Sequence, residues 1–231
     1  MAKRRILRLL ILLLSTPLIT ISRWIESSSS GTFSADLERC LNTVDKFSGS
    51  VPLPFVATLI EAEDHRSVYH LGVDPIAMLR AIWIRIVSGR VQGASTIEQQ
   101  FVRVVTERYE RTAARKIREQ LLAIALARHR PKNSVASAYL AIAFYGSGCI
   151  GLEGMKAQFG AQLHSPCERQ VLLFISQLKY PRPLRPSTNW QAKINRRCEA
   201  ILARRRRSEL QRTLDSQPVL LPPSESGGEL I

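Results

Sequence analysis

Residues 111–129 read RTAARKIREQLLAIALARH. Ile117, Leu121 and Ile124 recur at helical spacing, and Leu122, Ala125 and Leu126 carry apolar side chains round to the other faces. A helix that is apolar nearly all round is enclosed by others, so this segment predicts the centre of an all-α fold. Its polar exceptions lie near the N-terminal end. Arg115, Lys116 and Glu119 either line an internal cleft or, in the case of Lys116 and Glu119, form an ordinary i,i+3 surface pair.

The flanking sequence carries the same helical pattern from about Phe33 to Arg212. Asp74-Pro75 predicts an N-cap and a first-turn proline before IAMLRAIWIRIV. Ser95-Thr96-Ile97-Glu98 predicts a capping box with Ser95 as N-cap, and Ser165-Pro166-Cys167-Glu168 predicts another before VLLFISQL. Thr188 with Gln191 repeats that pattern before a last, basic helix. Glycines collect between these segments, in SGRVQG and YGSGCIGLEG, and no alternating stretch is long enough to predict a strand. One domain over 33–214 is expected, with a tail over 215–231 whose Pro, Ser and Gly content predicts disorder.

The 231 residues hold 33 Lys+Arg against 19 Asp+Glu, a net charge of +14, and 45% hydrophobic residues. That composition excludes a wholly disordered chain and calls for an anionic partner: nucleic acid, acidic headgroups or a phosphorylated substrate. Cys40, Cys149, Cys167 and Cys198 show no C-x-x-C spacing and suggest neither a zinc knuckle nor a disulfide scaffold. Lys3, Arg4 and Arg5 precede LLILLLSTPLITI, with Arg8 and Arg23 at its edges. With both arginines snorkelling, residues 1–26 predict a retained membrane anchor with a cytoplasmic N-terminus. Residues 27–32, rich in serine, predict a linker. A domain outside the cytoplasm makes nucleic acid a poor partner. The basic run from Lys193 to Arg212 is then read as a solvated face or a contact for anionic lipid.

Two segments draw attention to chemistry. In FVATLIEAEDH, Val56, Leu59 and Ile60 form a stripe that Glu63 continues, whereas Glu61 falls off it. A carboxylate on an apolar face is desolvated and becomes a stronger base. The same spacing is met by a helix that ends here with Glu63 facing solvent. In QGASTIEQQ, glycine leads into a helix N-terminus, where free N–H groups suit a phosphate. Ser95, Thr96, Gln99 and Gln100 add polar groups, and Arg103 follows about one turn on.

EDHRSVYHLG (63–72), GASTIEQQ (93–100), RKIRE (115–119) and AYLAIAFYGSGCIG (138–151), in this order and spacing, resemble the family-51 peptidoglycan glycosyltransferases. That family includes the transglycosylase module of class A penicillin-binding proteins and the monofunctional biosynthetic transglycosylases. The resemblance covers about Phe55 to Leu202, and the absence of a transpeptidase segment from this sequence matches the monofunctional type. It implies a lysozyme-like helical domain that polymerises lipid II, the lipid-linked disaccharide-peptide, into β-1,4 glycan with inversion. Glu63 matches the base that deprotonates the acceptor's 4-hydroxyl, in agreement with its place on the stripe. Asp64, Arg66 and His70 match cleft positions of the first motif. Ser95, Thr96, Gln99 and Gln100 match the donor-binding motif, and Arg103 stands where the family usually has a cation. Arg115 and Lys116 match residues on the diphosphate, and Glu119 matches a second glutamate that assists or positions the leaving group.

The resemblance further implies no required cofactor, while allowing a divalent cation such as Mg2+. The partners it implies are lipid II, the growing lipid-linked chain, the cytoplasmic membrane and other cell-wall synthesis proteins, with no nucleic acid. The expected location is a single-pass protein of the inner membrane with its domain on the periplasmic side. The chain departs from the family in four places: Ser67 replaces an aromatic residue, Glu98 a threonine and Ala141 an asparagine, and Val135-Ala136-Ser137 stands for ILE. Two other classes fit less well. A glycan-cleaving lytic enzyme needs no diphosphate grip, and a membrane-anchored scaffold or substrate-binding relative needs neither glutamate.

Overall fold

The computed structural model describes residues 2–28 and 31–216. Ser29 and Ser30 of the expected linker, and all but Asp215 and Ser216 of the expected tail, lie outside the described residues. Ten α-helices follow one another among them: α1 (Ala2–Ser28), α2 (Thr32–Phe47), α3 (Leu53–Glu63), α4 (Pro75–Ser88), α5 (Ile97–Thr106), α6 (Ala113–His129), α7 (Lys132–Ile142), α8 (Gly151–Phe159), α9 (Glu168–Ser176) and α10 (Thr188–Ser216). The fold is all-α, as the sequence predicts. The expected central helix is α6: every residue from Leu121 to Leu126 is at most 5% exposed. Helices α1, α2 and α5 pack on it, and α7 closes against α2 and α5.

α3, which ends in Glu63, is fixed by aromatic packing. Phe55 meets Phe159 of α8 and Phe174 of α9 edge-on, with ring centroids 5.0 and 5.9 Å apart, and Phe159 meets Phe174 at 5.3 Å. Edge-to-face rings at these distances add attraction beyond the area they bury. The stripe of Val56 and Leu59 is buried as expected.

The structure departs from the sequence reading at several points. Phe144–Gly146 and Cys149–Ile150 form a short antiparallel hairpin, β1 and β2. Five residues are too few for alternation to show, and Gly148, at φ +76°, supplies the turn. α5 is capped by Thr96, not Ser95, and α9 by Cys167, not Ser165, with Gln170 as its capping-box partner. At α10 the Ser187 hydroxyl accepts from the Trp190 N–H, one residue before the expected cap. The expected caps at α5 and α10 each miss by one residue because the two hydroxyl residues there adjoin. At α9 two residues separate the expected cap from the observed one.

The N-terminal helix takes in Ser27 and Ser28, the first two residues of the expected linker. α1 runs through Ser28, and one of its faces docks on the domain. Ile11, Ser15 and Ser22 are buried, the Ser22 hydroxyl donates to the Leu121 carbonyl (3.0 Å), and Glu26 pairs with Arg128 (2.9 Å) and His129 (2.6 Å). Its other face exposes Leu9, Leu10, Leu13 and Leu14. The four cysteines are free thiols, and burial pushes Cys40 up to about 12.

Candidate active site

The first motif leaves α3 at Glu63 and turns through a short 3₁₀ segment, Ser67–Tyr69, which buries Ser67. Gly72 follows at φ +79°, and a Cβ there would lie 2.3 Å from the Ala123 carbonyl oxygen of α6. Only glycine allows this approach, which brings the first motif onto the central helix. The Thr96 hydroxyl then donates to the Gly72 carbonyl (2.7 Å), and the hydroxyl oxygen accepts from the Gln99 N–H as the cap of α5. One threonine thus starts the second motif's helix and ties it to the first motif.

Between these elements opens a cavity of about 420 Å³. Glu63, Asp64, Arg66, Ser95, Thr96, Gln100 and Arg103 line it, so seven of the expected site residues share one space. Glu63 Oε1 accepts from Arg197 of α10 (2.6 Å), and its side chain keeps 19% exposure. The carboxylate is therefore ion-paired and faces the cavity. Neither the dry apolar enclosure nor the solvent-facing helix end describes it. Gln100 accepts from the Tyr139 hydroxyl (3.0 Å), which orients its amide.

Glu119, Arg115, Lys116, Gln99 and His70 sit behind the cavity wall. Glu119 is 4% exposed and accepts from Arg103 (2.9 and 3.1 Å), Lys116 (2.5 Å) and Arg115. It is not half of a surface pair. Burial pushes its carboxyl up, but the Arg103 and Lys116 bonds outweigh burial and hold it below the ordinary glutamate range. Lys116, lowered first by burial, reaches forward to Ser95 (3.1 Å) and Gln99 (2.7 Å). Glu119 thus anchors three cations, and of these Arg103 reaches the cavity.

His70 is 2% exposed and bonds Asp64 Oδ1 through Nε2 (2.9 Å). The Lys132 ammonium stands 3.4 Å from its Nδ1, and an Nε2–H facing Asp64 completes that arrangement. Asp64 Oδ2 also accepts from the Ile97 N–H (3.4 Å). Burial raises the Asp64 carboxyl, yet His70, Lys132 and Ile97 together hold it below its usual value. His70 therefore positions Asp64 and does not itself line the cavity. Glu98, 2% exposed, turns away from the cavity and pairs with Lys132 (2.5 Å), so its charge does not face a diphosphate and it is not a capping partner.

Asp64, His70 and Glu98 bring their ligand atoms within 4.8 Å of one another. The Lys132 ammonium already holds Glu98 and abuts His70 in that space. This donor set does not fit a divalent ion.

Sequence reasoning missed Arg80, Lys179, Arg197 and Arg204, which also line the cavity. A signal for two of them was present. Ile194, Arg197, Ile201 and Arg204 repeat at helical spacing, and the two isoleucines are 1% exposed. The buried face of the basic helix carries these arginines inward. Arg204 donates to the carbonyls of Glu61 (3.2 Å) and Ala62 (3.4 Å), and Arg205 binds Glu61 (2.6 Å), while Arg206 and Arg207 stay exposed.

Residues 35–206 match the family described as Transglycosylase. The chain is 34% identical over 157 residues to penicillin-binding protein 1A of Aquifex aeolicus (strain VF5), covering 67% of this chain and 21% of that protein. It is 32% identical over 152 residues to penicillin-binding protein 1B of Haemophilus influenzae (strain ATCC 51907 / DSM 11121 / KW20 / Rd), covering 63% and 20%. It is 32% identical over 161 residues to the biosynthetic peptidoglycan transglycosylase of Xanthomonas axonopodis pv. citri (strain 306), covering 68% and 64%. The match thus spans about a fifth of the penicillin-binding proteins and nearly two thirds of the third relative. With a match running through every element from α2 to α10 that builds the cavity, the chain belongs to the transglycosylase family.

Proposed function

We propose that the chain is a peptidoglycan glycosyltransferase that extends glycan from lipid-linked precursors at a membrane. The observation that carries the reading is Glu63 at the edge of a cavity lined by cations. Arg197 fixes Glu63 through Oε1, and among the described residues no hydrogen bond is made to Oε2. Oε2 is the atom left to take the proton from the acceptor's 4-hydroxyl as it attacks the anomeric carbon. A base on the attacking side and a leaving group on the other give inversion. Charge develops on the departing diphosphate, and Ser95, the Gln100 amide N–H groups and Arg103 are the groups left to meet it, the Thr96 hydroxyl being spent on the Gly72 carbonyl. Glu119, ionised at neutral pH, does not donate a proton to that group. Its part is to hold Arg103, Arg115 and Lys116 in place. No step runs through a divalent ion.

The membrane enters through α1. Arg4–Ser28 is long and apolar enough to cross a bilayer, with mean hydropathy 1.7 over its most apolar window. α1 packs beside α4, which exposes Leu79, Ile82, Trp83 and Ile86. Two neighbouring helices with exposed apolar side chains, one of which lines the cavity through Ala77 and Arg80, suit a substrate that never leaves the lipid. By the positive-inside rule the domain lies on the outer side, where the glycan is laid down.

The test is polymerisation of lipid-linked disaccharide-pentapeptide by the detergent-solubilised chain. Glycan strands are expected, and Glu63→Gln should reduce their rate by at least about 100-fold, the usual scale for a lost general base. A folded wild type that makes no strands, or a Glu63→Gln variant as fast as wild type, removes the reading.

A further inference from the structure

A second cavity, of about 340 Å³, opens between α8, α9 and the start of α10. None of its lining residues belongs to the four stretches that carry the family resemblance. It adjoins the space around Glu63 through the chain itself. Leu178 lines the first cavity, and its neighbour Gln177 lines the second.

Three residues of this cavity are fixed in place with chemistry to spare. Arg182 is held by its backbone: its N–H donates to the Tyr145 carbonyl (2.8 Å) and its carbonyl accepts from the Ser147 N–H (2.8 Å). Gly146 of β1 allows that approach, since a Cβ there would lie 2.3 Å from the Arg182 carbonyl oxygen. The Arg182 guanidinium is left over. It meets no carboxylate among the described residues, and nothing acidic lines the cavity. Trp190 is pinned by its indole N–H, which donates to the carbonyls of Tyr180 (3.1 Å) and Pro181 (3.2 Å). With Leu173 it gives the cavity an apolar side. Gln177, the C-cap of α9, is 5% exposed, and its Oε1 is buried with no donor among the described residues. A buried amide oxygen left unpaired is costly, and a ligand N–H removes that cost.

The three groups together select a ligand. A neutral sugar would leave Arg182 without a counter-charge. A diphosphate would satisfy Arg182 but set an anion against the Gln177 oxygen. The last residue of a peptide offers a carboxylate, an adjacent N–H and a side chain at once. We propose that Gln177, Arg182 and Trp190 form a binding site for a short peptide ending in a carboxylate. The carboxylate pairs with Arg182, the terminal N–H donates to Gln177 and the side chain lies on Trp190. The source of the peptide rests on the glycosyltransferase reading, in which the substrate carries one. A pentapeptide spans up to about 17 Å, which suits two cavities that meet at neighbouring residues. Arg182 and Gln177 then select substrates by their peptide and touch no reacting atom.

The probe is the substrate's pentapeptide, N-acetylated and freed of sugar and lipid, titrated calorimetrically into the solubilised full chain. The same peptide as its C-terminal amide is the comparison. The wild type should bind the free acid at least about ten-fold more tightly than the amide. Arg182→Gln, which leaves the backbone contacts intact, should abolish that preference. Gln177→Leu should weaken both peptides at least about five-fold and melt no lower than the wild type, because an unpaired oxygen leaves the interior. A merely structural glutamine would not combine those two results. Arg207→Gln, on the exposed face of α10, should stay within about two-fold. No binding, equal affinity for acid and amide, or a preference that survives Arg182→Gln overturns the site. Polymerisation then tests the source. Arg182→Gln should raise KM at least about five-fold for the pentapeptide substrate, beyond any change in kcat, and leave KM for a C-terminally amidated substrate within about two-fold. An unchanged KM for both overturns the substrate as the source. A wild type that binds the peptide with these preferences yet makes no glycan upholds the site and overturns the polymerase. Glycan made without peptide binding does the reverse.

Discussion

At Glu119, burial and the bonds from Arg103 and Lys116 act in opposite directions, and the bonds win. The sign of the pH dependence follows. A carboxyl with a depressed folded pKa contributes stability that is fully present above its unfolded value, about 4.3, and is lost as pH falls through the folded value. Glu119→Gln leaves Arg103, Arg115 and Lys116 without their shared anion. Breaking a buried pair costs about 3–5 kcal/mol, but Arg103 and Lys116 are each 32% exposed, so screening brings the expected loss to about 2 kcal/mol. Urea unfolding at pH 7 should show that gap, and it should narrow as pH drops below about 4, where the wild type loses the same charge. A gap constant with pH would mean that Glu119 packs without pairing. The sequence reading named the residue and left its surroundings open, because a helix pattern shows which face a glutamate occupies but not which distant cation folds onto it. Arg103 lies on another helix.

Element by element, the same limit appears. The central helix and the N-cap at Asp74 were legible, since each is specified by residues within a turn or two. The caps at α5 and α10 were misplaced by one residue because adjacent hydroxyl side chains compete, and tertiary contact decides between them: Thr96 wins at α5 by also bonding the Gly72 carbonyl. The basic helix was read from its exposed half alone. Glycines give a test of how position outweighs conformation. Gly49 and Gly72 both have positive φ, +72° and +79°, but a Cβ at Gly49 meets nothing within 4 Å, whereas at Gly72 it meets backbone of α6. Gly49→Ala should cost about 1 kcal/mol of backbone strain. Gly72→Ala adds a displacement of the first motif from α6 and should cost about 3 kcal/mol or more, with loss of activity. Equal melting curves for the two variants would show that the approach to Ala123 is slack. At the start of α5, Thr96→Ala should cost about 1–2 kcal/mol in the same melts, and Thr96→Ser much less, since serine keeps the capping oxygen.

On the scale of the whole molecule, the question is whether α1 only tethers the domain or completes it. A tether would present one apolar surface to lipid all round. α1 instead has two faces: one exposes leucines, and the other puts Ile11 at 0% exposure and packs Leu18 and Ile25 against the core. Hydrogen-bond and ion-pair contacts from Ser22 and Glu26 fix its register on α6. The central helix is apolar nearly all round because α1 covers one of its sides, a partner the sequence reading had assigned to the membrane alone. Full burial of an aliphatic side chain is worth about 1.5–3 kcal/mol, and Leu18 and Ile25 are only partly buried, so the docked face contributes roughly 4 kcal/mol. At about 2–4 °C per kcal/mol for a domain of this size, a chain lacking residues 1–30 should melt roughly 10 °C lower in the same detergent. The more discriminating variant is Ser22→Leu, which keeps α1 apolar but overfills its contact with Leu121. It should lower Tm by several degrees and leave membrane partitioning unchanged. If both variants melt with the wild type, α1 is a tether and α6 is covered by detergent or lipid. If both fall, the anchor belongs to the fold, and the distance from bilayer to Glu63 is fixed by helix packing.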